Sequence, residues 1–187
     1  MWEFGSPGSE TLSYLKTVKR RLSEESVRRS ALRILRENPL CSMATIAPGN
    51  RAHINTAYFC FSPHYELFFL SDPASLHCRN LGRNSSMAVT VFRSSQVWGD
   101  PDRGLQLFGR CREALGRTAS RAAQLYGTRF PRFAKLMKGK TASQRRQAAQ
   151  LRSYSFYRFV PDAMKILDET TFGGSTFVSV EVPKPDS

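Results

Sequence analysis

Leu40-Cys41-Ser42-Met43-Ala44-Thr45-Ile46, Ala47-Pro48-Gly49-Asn50 and His53-Ile54-Asn55-Thr56-Ala57-Tyr58-Phe59-Cys60-Phe61 read as strand, turn and strand. Both runs alternate with the period of a pleated backbone, and the Pro-Gly-Asn turn between them is of the kind that joins antiparallel neighbours. After Ser62-Pro63-His64 a third strand over residues 65–71 completes a meander. Asp72-Pro73-Ala74-Ser75 then turns into a short helix over 76–83, and strands follow over 87–92 and 105–110. The order predicts a mainly β chain with added helices (α+β): a six-stranded antiparallel barrel with peripheral helices. It also puts a candidate site at one edge, where the third strand runs into the short helix.

Upstream, Ser23-Glu24-Glu25-Ser26 has the form of a helix start, a hydroxyl cap followed by acids that meet the helix dipole. Val27, Ala31, Ile34 and Leu35 share one face of this helix, Arg28, Arg29, Arg33 and Arg36 lie mostly on the other, and Asn38-Pro39 ends it. Residues 1–22 read as a flexible basic leader, with Lys16, Lys19, Arg20 and Arg21 clustered near its end. Downstream, residues 93–103 form a polar loop holding Gln96, Trp98 and Gly99, and Gly109 marks a bulge or tight bend. Residues 117–151 read as a helical insertion, with helices over 118–126 and 141–151 and a Lys138-Gly139-Lys140 break. Strands over 153–160 and 164–168 close a domain spanning 23–182, and 183–187 is a tail.

At 187 residues the chain is long enough to bury a core as one domain, and 41% hydrophobic residues with 13 Phe argue against disorder. No run approaches the length of a membrane span and the N-terminus lacks a signal-peptide pattern, so the expectation is a cytoplasmic protein without a membrane partner. Cys41, Cys60, Cys78 and Cys111 show no paired spacing, which points to reduced, mostly buried thiols rather than a metal site or a disulfide framework. A net charge of +13 concentrates anions at the surface, and nucleic acid, polyanionic ligands and anionic cofactors all answer it.

The ordered series of segments resembles the pyridoxamine-phosphate-oxidase-like, flavin-binding split-barrel superfamily. The resemblance is carried by the helix before Pro39, Pro48-Gly49, His53-Ile54-Asn55-Thr56-Ala57-Tyr58, Leu67-Phe68-Phe69-Leu70-Ser71, Ser75-Leu76-His77-Cys78-Arg79-Asn80-Leu81, Leu105-Gln106-Leu107-Phe108-Gly109 and Tyr157-Arg158-Phe159-Val160-Pro161. Tyr126-Gly127-Thr128-Arg129-Phe130-Pro131 is similar to an uncharacterised bacterial subgroup.

The resemblance implies a homodimer holding flavin mononucleotide (FMN) between protomers and oxidising or reducing a small organic substrate. It places the FMN phosphate on Leu70, Ser71 and Ser75, since hydroxyls and helix N-terminal amides donate to an anion. Where the superfamily commonly has Arg-Lys, this chain has Leu76-His77, with Arg79 a turn further along. The ring would lie against Asn55, Thr56 and Ala57, with Gln106 and Trp98 as further contacts. The cofactor does the chemistry in this superfamily, so no catalytic side chain is nominated.

Two alternatives stand beside this reading. One is a reductase using the deazaflavin coenzyme F-420, its polyglutamate tail on Lys16 to Arg21. The other is a non-catalytic barrel that binds flavin, haem through His77, or nucleic acid. Nucleic acid is not the expected partner, although Lys135, Lys138, Lys140, Arg145, Arg146 and Arg152, with Phe130 and Phe133 interleaved, would make a phosphate-tracking surface.

Overall fold

A computed structural model describes residues 23–183. The leader, with its basic cluster, and most of the tail lie outside the described residues. Seven strands form one antiparallel sheet: β1 Leu40–Ala47, β2 Arg51–Phe61, β3 Leu67–Ser71, β4 Ser86–Phe92, β5 Arg103–Glu113, β6 Ser155–Asp168 and β7 Phe177–Glu181. Their order is β3-β2-β1-β4-β5-β6-β7, and β3 also pairs with β6, so six strands close into a ring and β7 is appended outside it.

Alternation decides which residues fill the ring. Met43, Phe59, Phe69, Leu105, Leu107, Phe159 and Ile166 point inward and are buried. Helix α1, Glu24–Glu37, closes one opening with Val27, Ala31, Ile34 and Leu35. Its start is the capped one expected: the Ser23 hydroxyl accepts from the Ser26 amide at 3.2 Å. A buried carboxylate fastens it, for Asp168 at the end of β6 accepts from Ser30, Arg33 and Thr171 and lies 3.8 Å from Arg103. Helix α2, Leu76–Arg83, packs on β1 and β2 and contributes Cys78 and Leu81 to the same core.

Helices α3 Gly116–Arg129, α4 Pro131–Met137 and α5 Ala142–Arg152 lie between β5 and β6. They enclose a second, smaller core of Cys60, Phe68, Ala122 and Tyr126, edged by Phe130, Phe133 and Phe156. Two arginines fasten this block. Arg121 reaches buried Glu66 at 3.2 Å, which also takes a 2.6 Å bond from Arg158. Arg129 donates to the carbonyls of Leu35 and Asn38 at 2.8 and 2.7 Å, capping the C-terminus of α1, and lies over Phe59 at 4.7 Å.

The structure corrects the expected elements in four places. Ser155–Asp168 is one strand, where two were expected over 153–160 and 164–168. The expected bulge is real: the β5–β6 register shifts between Phe108 and Gly109. A Cβ on Gly109 would sit 2.2 Å from the Val160 carbonyl oxygen, so the close crossing requires glycine. Pro161 stands opposite it, where the ladder asks for no N–H, and the strand runs through. α4 forms where no helix was expected, with Pro131 in the first turn, a position proline tolerates. The first insertion helix extends to Arg129 instead of residue 126. The edge strand β7 and the one-turn helix α6, Glu169–Phe172, had no counterpart in the sequence reading.

Candidate functional site

β3 ends at Ser71, the chain turns through Asp72-Pro73-Ala74, and α2 begins after Ser75. Asp72 braces the turn by accepting from the Ala74 amide at 2.8 Å. One turn of helix then brings His77 back over the strand end, with Nε2 2.7 Å from Ser71 Oγ and 3.2 Å from Ser75 Oγ. Because the Ser75 hydroxyl is drawn to the imidazole, no side chain caps the amides that open α2. Burial pushes His77 below its ordinary value of 6.5, so the ring is neutral near pH 7.

The cluster extends under the helix through residues that the sequence reading did not single out. His53 of β2 stacks near-parallel to His77, centroids 6.4 Å apart, and its Nδ1 lies 3.5 Å from the Thr45 hydroxyl. Asn80, fully buried, donates to the same hydroxyl at 3.1 Å. The Asn80 and Asn55 amide oxygens are buried without a hydrogen-bond partner among the described residues. Buried polar atoms are nearly always paired, so two orphans beside one cluster mark a place that asks for donors. The available signal was that two of the chain's three histidines fall in the segments that pack here.

The expected site residues divide between two faces. Asn55 and Ala57 share the inward face of β2 with Phe59, whereas Thr56 is outward between Ile54 and Tyr58. Gln106 is exposed on the outward face of β5, opposite Thr90 and Lys165. Trp98 is 99% exposed in the β4–β5 loop and touches essentially nothing in its own chain. The Leu70 side chain packs against the core beneath α3, on the opposite side of β3 from Ser71. Arg79 is exposed on α2. The chain therefore unites Ser71, Ser75 and His77 and leaves Thr56, Gln106 and Trp98 on its outer surface.

That outer surface is unusual in its own right. Across β2, β1, β4 and β5 it presents exposed Ile54, Tyr58, Leu40, Phe92 and Phe108, with Ser42, Thr56, Ala44, Ala88 and Thr90 between them. A cavity of about 580 Å³ opens at its Leu40–Phe92 edge and is lined also by Glu37, Arg93 and Arg103, none of them part of the hydroxyl cluster. We place the candidate site at the cluster, because shape alone singles out no chemistry in that cavity.

Among the described residues no group of three His, Cys, Asp or Glu is placed to hold a metal ion, and no helix is long and apolar enough to cross a membrane. The four cysteines are buried and unpaired, and burial raises Cys41 and Cys60 to about 12, so they are thiols rather than nucleophiles.

No family model matches the chain, and no curated protein does. Solved structures do. A general-stress-protein-26-related protein of the pyridoxine-phosphate oxidase family from Clostridium acetobutylicum is 8% identical, with TM-score 0.60, 86% of this chain and 97% of that one being covered. A putative pyridoxamine 5'-phosphate oxidase from Listeria innocua is 15% identical, with TM-score 0.57 over 75% and 98%. A haem-binding protein from Mycobacterium smegmatis is 11% identical, with TM-score 0.62 over 84% of this chain and 57% of that one, so this chain spans just over half its length. The ring thus has the pyridoxamine-phosphate-oxidase-like split-barrel fold that the sequence pattern resembled.

Proposed function

We propose that the protein is an FMN-binding oxidoreductase acting on a small organic substrate, with the flavin held where two copies of the chain meet. The observation that carries this reading is the Ser71–Ser75–His77 cluster at the uncapped start of α2. Hydroxyls and free helix amides are donors for a phosphate. The orphaned acceptor of Asn55, beside small Ala57, suits a ligand rich in N–H and O–H groups. A flavin's ring N–H and ribityl hydroxyls are such donors, and haem carries none. Bound flavin would supply hydride chemistry. The chain's own residues would bind and orient it, Ser71 and Ser75 by rotating their hydroxyls from His77 to the phosphate.

Leu76 and His77 stand where two permanent cations are common, so above the His77 transition the anion meets neutral hydroxyl and amide donors, and each charge-assisted bond foregone is worth roughly 1.5 to 3 kcal/mol. Weak FMN binding is expected. The outer sheet face supports the dimer: an apolar, almost uncharged surface on a +13 chain is best covered by its own copy, which would bring Thr56, Gln106 and Trp98 of one protomer toward the other.

Titration of the apo-protein with FMN at tens of micromolar should quench flavin fluorescence at one equivalent per protomer. Unchanged fluorescence would sink the proposal. In the double variant Leu76→Arg/His77→Lys, FMN should bind at least tenfold tighter; equal or weaker binding would place the phosphate elsewhere. A second reading, haem, is favoured by the paired imidazoles of His53 and His77, although His77 Nε2 is already engaged at 2.7 Å by Ser71. Haemin giving a sharp Soret band where FMN gives no quenching would establish it instead.

A further inference from the structure

Between Gly116 and Arg152 the sequence holds ten Arg and Lys and not one Asp or Glu, so this stretch carries ten of the chain's thirteen net charges. The flavin site uses none of them. Three are accounted for or stand apart: Arg121 pairs with Glu66, Arg129 caps α1, and Arg117 sits at the start of α3. The other seven are exposed on α4, α5 and the turn joining them, and none pairs with a carboxylate among the described residues. Arg145 donates to the Lys140 carbonyl at 3.1 Å and Arg152 to that of Met137 at 3.1 Å, which draws both guanidinium groups to the turn that carries Lys138 and Lys140. Keeping like charges this close costs free energy unless an anion relieves it.

The aromatic residues that would accompany these cations point away. Phe130 and Phe133 pack with Tyr126 and Phe156 at centroid distances between 4.6 and 6.5 Å. The interleaving expected from sequence is therefore absent from the surface, and with it a platform for unstacked bases. No large apolar side chain is exposed on α3, α4 or α5 either, and a helix that lies in a membrane interface needs one to insert. What remains is a set of exposed cations on α4, α5 and the turn between them. Such a surface matches a regular array of phosphates that needs neither stacking nor insertion, and α5 alone spans on the order of 16 Å, along which a duplex presents many charges.

We propose that α4, α5 and the turn between them bind the phosphate backbone of duplex nucleic acid, without reading its sequence. The contacts are Lys and Arg to phosphate, so DNA and RNA duplexes are both ligands.

The test uses the full-length protein and a labelled random-sequence duplex of about 25 base pairs, followed by fluorescence anisotropy across salt concentrations. If about five phosphates are neutralised, the slope of log K against log salt is near −4.5, a loss of several hundredfold between about 50 and 200 mM. Lys138→Gln/Lys140→Gln/Arg146→Gln removes three exposed cations whose side chains make no internal bond. It should flatten the slope by about 2.7 and weaken low-salt binding more than tenfold, with the unfolding temperature unchanged. A control triple outside the insertion, Arg36→Gln in α1, Arg51→Gln in β2 and Arg83→Gln in α2, should retain most of the binding. Equal losses in the two triples would assign the attraction to net charge and overturn the proposal, as would a slope near zero. Binding to phosphatidylserine vesicles in place of duplex would overturn it in favour of a membrane surface.

Discussion

The six-stranded ring and the helical insertion use charge in opposite ways. Across the rest of the described chain thirteen basic residues face twelve acidic ones, and the two buried acids, Asp168 and Glu66, are each ringed by arginines. In the insertion ten cations face no acid, and only Arg121 and Arg129 reach into the ring. A charge that is paired and buried holds elements in place; an exposed, unpaired charge costs little in water and is free to meet something else. The same residue type therefore means architecture in one region and recognition in the other, and burial decides between them.

The largest effect that would test this division comes from the ring. Asp168→Ala removes a fully buried carboxylate and leaves Arg33 and Arg103 without it. Breaking a buried pair costs about 3 to 5 kcal/mol, and the lower end applies because both arginines are about a third exposed and can rehydrate. Urea unfolding measures it. A loss below about 1 kcal/mol would place Asp168 with the insertion's charges rather than apart from them. The pH dependence has a definite sign. Burial raises the Asp168 carboxyl, but bonds from Ser30, Thr171 and Arg33 and the Arg33 charge outweigh it and hold the group below its ordinary 3.8. Its contribution is thus complete above that value and fades as pH falls through the folded one, so wild type and Asp168→Asn should converge in acid.

Arg129 is the exception that sharpens the comparison, an insertion cation spent as the ring spends its own. Arg129→Ala takes both donors from the end of α1 and the stacked cation from Phe59 and Phe61, at a cost of about 2 kcal/mol. Arg129→Lys should recover less than half of that, because an ammonium lacks the planar guanidinium face that lies over Phe59 and Phe61. Hydrogen exchange shows where the loss falls. Protection lost in residues 116–152 alone makes the insertion a separable unit, and loss throughout makes it part of the ring's cooperative fold.

Five of the ring's strands and α2 were legible because their signals are local: alternation, Pro-Gly-Asn, and Asp-Pro ahead of a helix. The failures were also local signals, correctly read but overridden by partners distant in sequence. Pro161 looks like a strand end until Gly109, more than fifty residues earlier, is seen to make room for it at a register shift. Pro131 looks like a break, although it begins a helix. At the site, Ser71, Ser75 and His77 lie within seven residues and were found together, whereas the Thr45–Asn80 bond spans 35 residues and the orphaned acceptors exist only in three dimensions. Strand alternation alone would have separated Leu70 from Ser71 and Thr56 from Asn55; what it cannot say is which face a second chain covers.

The smallest expected effect concerns a charge that belongs to neither region until a ligand arrives. His77 is held neutral by burial, and its Nε2 faces only hydroxyls. A phosphate placed on Ser71 and Ser75 would favour the imidazolium, so binding would take up a proton and tighten as pH falls. FMN therefore binds more tightly well below the His77 transition than well above it, by up to about tenfold. Riboflavin, identical but for the phosphate, should bind with no such trend as the pH falls through and below the ordinary imidazole value of 6.5, and His77→Gln should abolish the trend for FMN while leaving riboflavin unaffected. Fluorescence titrations of the two flavins at several pH values separate these outcomes. Parallel curves for FMN and riboflavin would mean that the phosphate does not sit at the start of α2, and that His77 is one more internal polar group satisfied by its serines.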